Sequence, residues 1–157
     1  SGWPPSAPRS TRWLRSSPDM SKRAYPDRPF VGIGIVVFRG GEVLLVMRGD
    51  RWSIPGGAQE LGETVREGAL RELKEETNLD ARLLGLIDVV DGITRDAEAR
   101  IHYHYTLIDF AAEWTAGEAV PGSDVSVLQW FDLDVVETLG LWGETLRIIR
   151  AAERMRN

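Results

Sequence analysis

Residues 57–79 read GAQELGETVREGALRELKEETNL, and this stretch decides the fold. It follows Pro55 and Gly56, and a Pro-Gly-Gly run forbids a regular helix or strand at that point. Residues 63–77 are good helix formers, and acidic side chains crowd their first turns, where the helix dipole favours them. The stretch therefore predicts a glycine turn followed by one helix.

The predicted helix has an apolar face and an acidic face. At about 100° per residue, five side chains fall together and should meet the core: Val65, Ala69, Leu70, Leu73 and Thr77. Glu72, Glu75 and Glu76 are spaced i, i+3 and i+4, so their carboxylates share a neighbouring face. Gly68 lies one turn earlier and leaves room beside them. Asn78 follows the helix, where a left-handed residue ends helices and asparagine is the usual second choice after glycine.

The acidic face is the first sign of a functional site. Three carboxylates on one face repel one another unless a cation lies between them. Carboxylate oxygens are hard ligands that suit Mg²⁺ or Mn²⁺, and the chain has no cysteine for a thiolate zinc site. An isolated E-x-x-E-E is more often a solvated face, with Arg71 and Lys74 as ion-pair partners. The glycine turn, Glu63 and Arg71 in register with these acids favour metal binding instead.

The same spacing resembles the Nudix box, G-x5-E-x7-R-E-U-x-E-E-x-G-U, in which U is a bulky aliphatic residue. Every fixed position matches except one, because Asn78 stands where the pattern has glycine. The resemblance covers residues 52–79. It implies an α+β protein with the Nudix fold, in which a mixed β-sheet is sandwiched between α-helices.

The resemblance also implies a reaction and the residues that perform it. Nudix enzymes hydrolyse a nucleoside diphosphate linked to another group, when water attacks one phosphorus. The implied cofactor is Mg²⁺ or Mn²⁺, held by the Gly56 carbonyl oxygen, Glu72, Glu75 and Glu76. Arg71 would orient these carboxylates, and Glu63 would anchor Arg71 and the loop.

The general base stays open at this point. One carboxylate must accept a proton from water, and Glu75 is one candidate. Asp124, in the late loop, has a spacing to Trp130 that looks like the loop acid of some relatives, with Glu113 and Glu118 as competitors. A cap or turn residue explains Asp124 equally well.

Five further residues are candidates for substrate binding. Arg28, Arg48 and Arg51 flank the expected cleft and would contact phosphates, although each is also explained as a solvated surface charge. Phe30 and Trp52 would stack on a base or close the cleft, and packing in the core is the alternative for both.

The substrate is less sharply indicated. Residues 25–32 look similar to a bacterial group labelled ADP-ribose pyrophosphatases, which favours ADP-ribose or a nucleotide sugar. Thr94 and Arg95 lie where many ADP-ribose enzymes have a proline after the box. The alternatives are a nucleoside triphosphate pyrophosphohydrolase and a non-catalytic nucleotide-binding module. The intact acids of the box argue against the module.

Composition bounds the remaining expectations. The chain has 157 residues, enough for one domain, which we place at residues 23–157 after an N-terminal tail, residues 1–22, interpreted as a non-native extension. The net charge of −5 argues against non-specific nucleic-acid binding. No apolar run reaches membrane-spanning length, and the lack of cysteine fits a cytoplasmic location. A homodimer would cover exposed tryptophans.

The pattern outside the box predicts a series of strands and a last helix. Apolar or alternating runs predict strands at residues 31–38, 42–47, 82–90, 101–110 and 125–131. Polar and glycine-containing stretches predict loops at 91–100 and 112–124. A short helix from residue 132 and an amphipathic helix at 141–154 complete the prediction.

Overall fold

The computed structural model describes residues 23–122 and 125–156. The predicted tail at 1–22 and the candidate Asp124 lie outside these residues. The described chain contains seven strands: β1 Phe30–Arg39, β2 Glu42–Arg48, β3 Arg51–Ser53, β4 Gly56–Ala58, β5 Asp80–Arg95, β6 Ile101–Ala116 and β7 Val127–Asp132. It also contains helix α1 Val65–Thr77, a 3₁₀ helix Leu133–Leu139 and helix α2 Gly143–Glu153.

The strands form one mixed sheet in the order β3-β2-β1-β6-β5. The central strands β1 and β6 run parallel, whereas β5 and β6 form a long antiparallel hairpin. β4 pairs with the first half of β1, and β7 pairs with β2. The pairing of β4 with β1 fixes the glycine turn at the centre of the sheet, directly before α1.

Helices cover both faces of the sheet, so β1 is buried on both sides and reads as a nearly continuous apolar run. Its alternate side chains belong to two cores. Ile33, Ile35 and Val37 pack with Ala69 and Leu73 of α1. On the opposite face, a second core joins the sheet to α2 through Val36, Phe38, Leu107, Ile148 and Ile149. This arrangement confirms the predicted mixed sheet between helices.

The hairpin of β5 and β6 is longer than predicted. The predicted loops were wrong at 91–95 and 112–116, where both strands continue in an antiparallel ladder. Polar residues are tolerated there because one face of the hairpin is exposed and the partner strand satisfies the backbone. The chain turns only at 96–100, where the Asp96 carboxylate accepts hydrogen bonds from the backbone N–H groups of Glu98 and Arg100 at 2.9 and 3.0 Å.

Capping residues fix both ends of α1. Thr64 and Glu67 form a reciprocal capping box, so the helix begins at Val65 rather than at residue 63. Asn78 has φ 66° and ψ 11°, which confirms the predicted left-handed stop, and its N–H donates to the Lys74 carbonyl. Leu70 is exposed, contrary to prediction, and Gly68 is buried in its place.

The rotation of α1 follows from close packing against β1. A β carbon at Gly68 would lie 2.5 Å from the Ile33 side chain, so only glycine lets the helix approach the sheet there. The acidic residue Glu76 is buried on the same side as Leu73. The prediction from spacing alone therefore placed Leu70 in the core wrongly, because Gly68 and Glu76 are also buried on the face of α1 that packs against the sheet.

Candidate active site

The glycine turn brings the backbone against the acidic face of α1. The Gly56 N–H donates a hydrogen bond to Glu76 Oε1 at 2.9 Å. A β carbon at Gly57 would lie 2.4 Å from the Glu72 carboxylate, so this glycine leaves the space that the carboxylate occupies. The turn and the helix therefore place two of the predicted ligands, Glu72 and Glu76, beside backbone atoms of residues 56 and 57.

Arg71 links the carboxylates of the box to one another. Its guanidinium group binds both oxygens of Glu63 at 2.7 and 2.8 Å, the bidentate geometry that gives the strongest arginine–carboxylate pairs. It also donates to Glu72 at 2.8 Å, to Glu75 at 3.0 Å and to the Ala58 carbonyl at 3.1 Å. The Arg71 hydrogen bonds hold the pKa of the Glu63 carboxyl below its usual range.

Arg48 lies inside the protein, so its alternative interpretation as a solvated surface charge is wrong. Its side chain is only 3% exposed and forms a 2.6 Å ion pair with Glu76. The same guanidinium group also approaches the Gly56 carbonyl oxygen, at 3.4 Å. Arg48 thus holds Glu76 in place from the protein interior. This buried position gives no support to direct contact between Arg48 and a phosphate.

The charges of this cluster do not cancel. Among the described residues, five carboxylates, those of Glu60, Glu63 and the three helix acids, form ion pairs with Arg71 or Arg48, so acidic groups outnumber these arginines. Burial, with Glu76 and Glu75 nearby, raises the pKa of Glu72 to about 7 although Arg71 opposes it. Uncompensated carboxylate oxygens fit a divalent cation such as Mg²⁺.

The guanidinium groups now occupy positions between the acids. Within residues 23–122 and 125–156, no three acidic or imidazole side chains are already gathered at metal-binding spacing. Glu72 and Glu75 instead share one nitrogen of Arg71. The donor set is therefore chemically suited to a metal ion, because Arg71 binds one oxygen of each of these two carboxylates and leaves the other oxygen for a metal.

The loop before β7 is attached to the end of α1. The N–H groups of Val120 and Gly122 donate to the carbonyls of Thr77 and Glu76 at 2.9 and 3.0 Å. A β carbon at Gly122 would lie 2.3 Å from the Glu75 carbonyl oxygen, so the loop approaches the acidic helix closely. Asp124, the candidate base from this loop, lies outside the described residues.

The two competitors of Asp124 are placed differently. Glu113 is bound by Arg156, which follows α2 and lies over the Phe38 ring in the other core. Glu118 is exposed, and its backbone carbonyl accepts a hydrogen bond from the Asn78 side chain at 3.2 Å. Of the two, only Glu118 lies on the loop that contacts α1.

The structure brings together only two of the other predicted substrate-binding residues. The Arg28 guanidinium lies over the Phe30 ring, 4.9 Å from its centroid, and both border an open cavity of about 370 Å³ that Glu63 also lines. Arg51 instead binds the Gly140 carbonyl oxygen. Trp52 packs edge-on against Phe131 in the core under α2, as its packing alternative describes.

Sequence reasoning missed a buried carboxyl on the opposite face of the sheet. Asp109 lies in the middle of β6 and is 7% exposed. Burial raises the pKa of its carboxyl to about 7, with Asp88 and Glu144 adding to the rise and Arg147 opposing it. The available signal was an acid interrupting the apolar run YTLIDFAA at residues 105–112.

Comparison with known proteins settles the family. The family model described as the NUDIX domain matches residues 28–151, well over half of the chain. The chain belongs to the Nudix family. It is 30% identical to an ADP-ribose pyrophosphatase of Methanocaldococcus jannaschii, over 88% of this chain and 82% of that protein.

Two further Nudix proteins match this chain, one over part of its own length and one over nearly all of it. An NAD-capped RNA hydrolase NudC of Pseudomonas aeruginosa is 33% identical over 67% of this chain, but the match spans 37% of that protein. The crystal structure of a MutT NUDIX hydrolase from Burkholderia pseudomallei superposes with a TM-score of 0.68 and 28% identity. It covers 80% of this chain and 98% of that one.

Membership confirms three predictions: the family, the Nudix fold and the enzyme class. Nudix enzymes are pyrophosphohydrolases that act on small nucleotide substrates and generally use divalent metal ions, so this chain is a Nudix pyrophosphohydrolase. Among the described residues, no helix combines the length and the apolar character needed to cross a bilayer.

Proposed function

We propose that this Nudix enzyme hydrolyses the phosphoanhydride bond of a nucleoside diphosphate linked to another group, with ADP-ribose or a nucleotide sugar as substrate. One observation carries the proposal: Glu72 and Glu76 contact the glycine turn, Glu75 is joined to Glu72 through Arg71, and acidic groups outnumber the arginines that bind them. The similarity to a protein named ADP-ribose pyrophosphatase, across most of both chains, supports the choice of substrate.

Mg²⁺ or Mn²⁺ would be held by the Gly56 carbonyl oxygen together with the carboxylates of Glu72, Glu75 and Glu76. When bound, such an ion neutralises the diphosphate and lowers the pKa of a coordinated water. Glycine at position 57 lets the Glu72 carboxylate come up to the backbone. Hard oxygen donors of this kind favour Mg²⁺ or Mn²⁺ over softer metals.

Two arginines position these carboxylates. Arg71 spans Glu63, Glu72 and Glu75, so its planar fork fixes the acids of the helix relative to the loop. Glu63 binds Arg71 through both oxygens and also accepts the Glu60 N–H at 2.8 Å, which ties the guanidinium to the loop. Arg48 positions Glu76 in the same way, through a buried ion pair. We therefore assign both arginines positioning roles.

Glu75 is our preferred general base. Its side chain is 47% exposed, whereas those of Glu72 and Glu76 are 13% and 5% exposed. An accessible carboxylate can take a proton from the attacking water and release it to solvent. Asp124 remains the alternative, because the loop that leads to it is attached to the end of α1 through Gly122.

Arg28 and Phe30 are our candidates for contact with the substrate near the box. They form one wall of the open cavity that Glu63 borders, and the guanidinium remains exposed beside the ring. A cation there would attract the negative diphosphate towards an otherwise acidic site. Arg51 is a weaker candidate, because its guanidinium group already donates to Gly140. Trp52 is also weaker, since it packs in the core.

The remaining expectations stay predictions. They are a domain at residues 23–157, a homodimer, a cytoplasmic location and the absence of nucleic-acid partners. A size measurement in solution tests the dimer directly.

The test is a panel of ADP-ribose, nucleotide sugars and nucleoside triphosphates, assayed with Mg²⁺ and with Mn²⁺. We expect ADP-ribose or a nucleotide sugar to yield a nucleoside monophosphate and a sugar phosphate. Glu75→Gln should lower turnover by about 10²–10⁴-fold, the usual contribution of a general base. Glu98→Gln, the same change at an exposed position in the β5–β6 turn, serves as the matched control.

Each alternative outcome has a clear meaning. Release of pyrophosphate from triphosphates alone would show that the enzyme belongs to the triphosphate pyrophosphohydrolases instead. Binding without hydrolysis of any compound would indicate the non-catalytic module. A Glu75→Gln variant that turns over at the parent rate would remove Glu75 from the reaction and direct attention to Asp124.

A further inference from the structure

A small cavity lies between the sheet and α2, on the face opposite the acidic helix. Its walls are mainly apolar, with Val90 from β5, Leu107 from β6 and Ile148 from α2, and Trp142 stands beside them. Asp109 lies in the same lining. The volume is about 30 Å³, and a water molecule needs roughly 10–15 Å³. The cavity therefore accepts a group of the size of an amine or a hydroxyl rather than a whole ring.

The Asp109 carboxyl is the polar group that distinguishes this cavity. Its residue is more than nine-tenths buried, and no group among the described residues donates a hydrogen bond to its side chain. A β carbon at Gly34 would lie 2.2 Å from Asp109 Oδ1, so the carboxyl fills the space left by the glycine. The carboxyl oxygens are not fully enclosed, so they are open to the cavity and can accept a hydrogen bond from a group placed there.

The cavity lies within reach of the proposed reaction centre. Gly34 of β1 is paired with Gly56 on one side and with Asp109 on the other, so the three residues form one row across the sheet. With neighbouring strands about 4.8 Å apart, the Asp109 backbone is about 10 Å from Gly56. The cavity lining also includes Ser53 and Ile54, just before the glycine turn, which places the cavity within reach of a nucleotide whose phosphates lie at that turn.

The charge around the cavity excludes a phosphate as the occupant. Asp88 and Glu144 lie near Asp109, and Arg147, the cation that faces them among the described residues, is already bound to Asp88 and Glu144 at 3.0 Å. Three carboxyl groups against one guanidinium favour a neutral or cationic group that donates hydrogen bonds.

We propose that Asp109 accepts a hydrogen bond from an N–H or O–H group on the part of the substrate beyond the phosphates, and thereby determines which nucleotide derivative is hydrolysed. This inference rests on the proposed function. The donor is either an amino group of the base or a hydroxyl of the sugar, since both have the size and polarity that the cavity accepts. Asp109 is thus a specificity-determining residue and takes no part in the hydrolysis.

The protonation of Asp109 allows a test that separates recognition from a purely structural role, because only recognition would make the discrimination between substrates depend on pH. Burial raises the pKa of the carboxyl to about 7, while Asp88 of β5 and Glu144 and Arg147 of α2 are the charged groups that face it. A carboxylate accepts a donor's hydrogen bond more strongly than a carboxylic acid does. Discrimination between substrates with and without the donor should therefore weaken as the pH falls below 7.

The experiment compares the parent enzyme with Asp109→Asn and Asp109→Ala on three compounds. They are ADP-ribose, its hypoxanthine counterpart without the base amine, and its counterpart lacking one ribose hydroxyl. For compounds that carry the donor, we expect KM to rise about 10-fold or more in Asp109→Ala, which loses the acceptor. The rise should be smaller in Asp109→Asn, whose amide oxygen still accepts a hydrogen bond but carries no charge. We expect kcat to change little, and Glu98→Gln is the control.

The compound that lacks the donor should show a similar KM in parent and variants, and its identity tells whether base or sugar reaches Asp109. If Asp109→Ala fails to fold, Asp109→Asn and Gly34→Ala, which displaces the carboxyl without removing it, provide the same comparison. Unchanged KM values across all compounds would overturn the inference while the proposed function stands. A parent enzyme that hydrolyses no member of the wider panel would overturn the proposed function, and this inference with it.

Discussion

The two faces of the sheet treat the same chemical group in opposite ways. Under α1, four carboxylates are bound by Arg71 and Arg48 at 2.6–3.0 Å. Under α2, the carboxyl of Asp109 is buried among apolar walls with no hydrogen-bond donor from the described residues. In each place a glycine, Gly57 or Gly34, leaves the space that a carboxyl fills.

The difference shows that the surroundings of a buried carboxyl group determine both its pKa and the kind of ligand that it can bind. Glu76 is even more buried than Asp109, but it accepts a hydrogen bond from the Gly56 N–H and forms an ion pair with the Arg48 guanidinium. The Asp109 side chain accepts no hydrogen bond from the described residues, and burial raises the pKa of its carboxyl to about 7. The first arrangement suits cation binding, and the second suits recognition of a neutral donor.

The strongest test of this contrast is Glu76→Gln. It removes a proposed metal ligand and leaves the Arg48 charge buried without its carboxylate. Turnover should fall by about 10³-fold, and the free energy of unfolding by about 3–5 kcal/mol. Steady-state kinetics and denaturant unfolding measure the two effects.

Glu75→Gln separates the effect on turnover from the effect on stability. Because the Glu75 side chain is half-exposed, this variant should lose activity but little of its free energy of unfolding. Equal unfolding free energies for the two glutamine variants would show that Arg48 does not depend on Glu76, and the paired description of the α1 face would then be wrong.

Gly57→Ala tests the space beneath Glu72. A β carbon would lie 2.4 Å from the carboxylate, and the end of this side chain can turn away without disturbing the backbone. Since a 1 Å misplacement can cost about 10²-fold in rate, we expect a fall of that order with little change in melting temperature. Gly41→Ala is the matched control, because nothing lies within 4 Å of the added carbon there. An active Gly57→Ala enzyme would contradict the placement of Glu72.

The last test is the pH dependence of stability at Asp109. The pKa of its carboxyl is about 7 in the folded protein against an ordinary value of 3.8. As the pH rises from 4 to 7, the unfolded chain ionises first, so the parent protein loses stability over this window, by about 4 kcal/mol in total. Asp109→Asn lacks this loss. Its unfolding free energy relative to the parent should therefore increase from pH 4 to pH 8, and a constant difference would show that the carboxyl is not held protonated.

Residues close together in the sequence were predictable. Sequence spacing indicated the acidic helix and its arginine, from the register of Glu63, Arg71, Glu72, Glu75 and Glu76. The contacts of Arg71 agree with that register. The left-handed stop at Asn78 followed from helix chemistry alone. Both succeeded because helical spacing determines which side chains meet within one or two turns.

Contacts between distant segments were not predictable in the same way. Arg48 looked like a surface cation, since nothing near it in the sequence shows that Glu76 lies above it in the fold. Leu70 was assigned to the core because helical periodicity carries no information about how closely Gly68 lets the sheet approach. Trp52 looked free to stack on a base, but β2 places it against Phe131.

The sequence by itself determined the family, the fold and the acidic helix, because these depend on local spacing within one continuous stretch. Only the tertiary structure decided which acid is paired and which is left without a donor, since that depends on strands brought together from across the chain. Asp109, Gly34 and Gly56 form one row only after β1 pairs with β4 and β6. The sheet, rather than the helix, thus relates the proposed specificity pocket to the glycine turn.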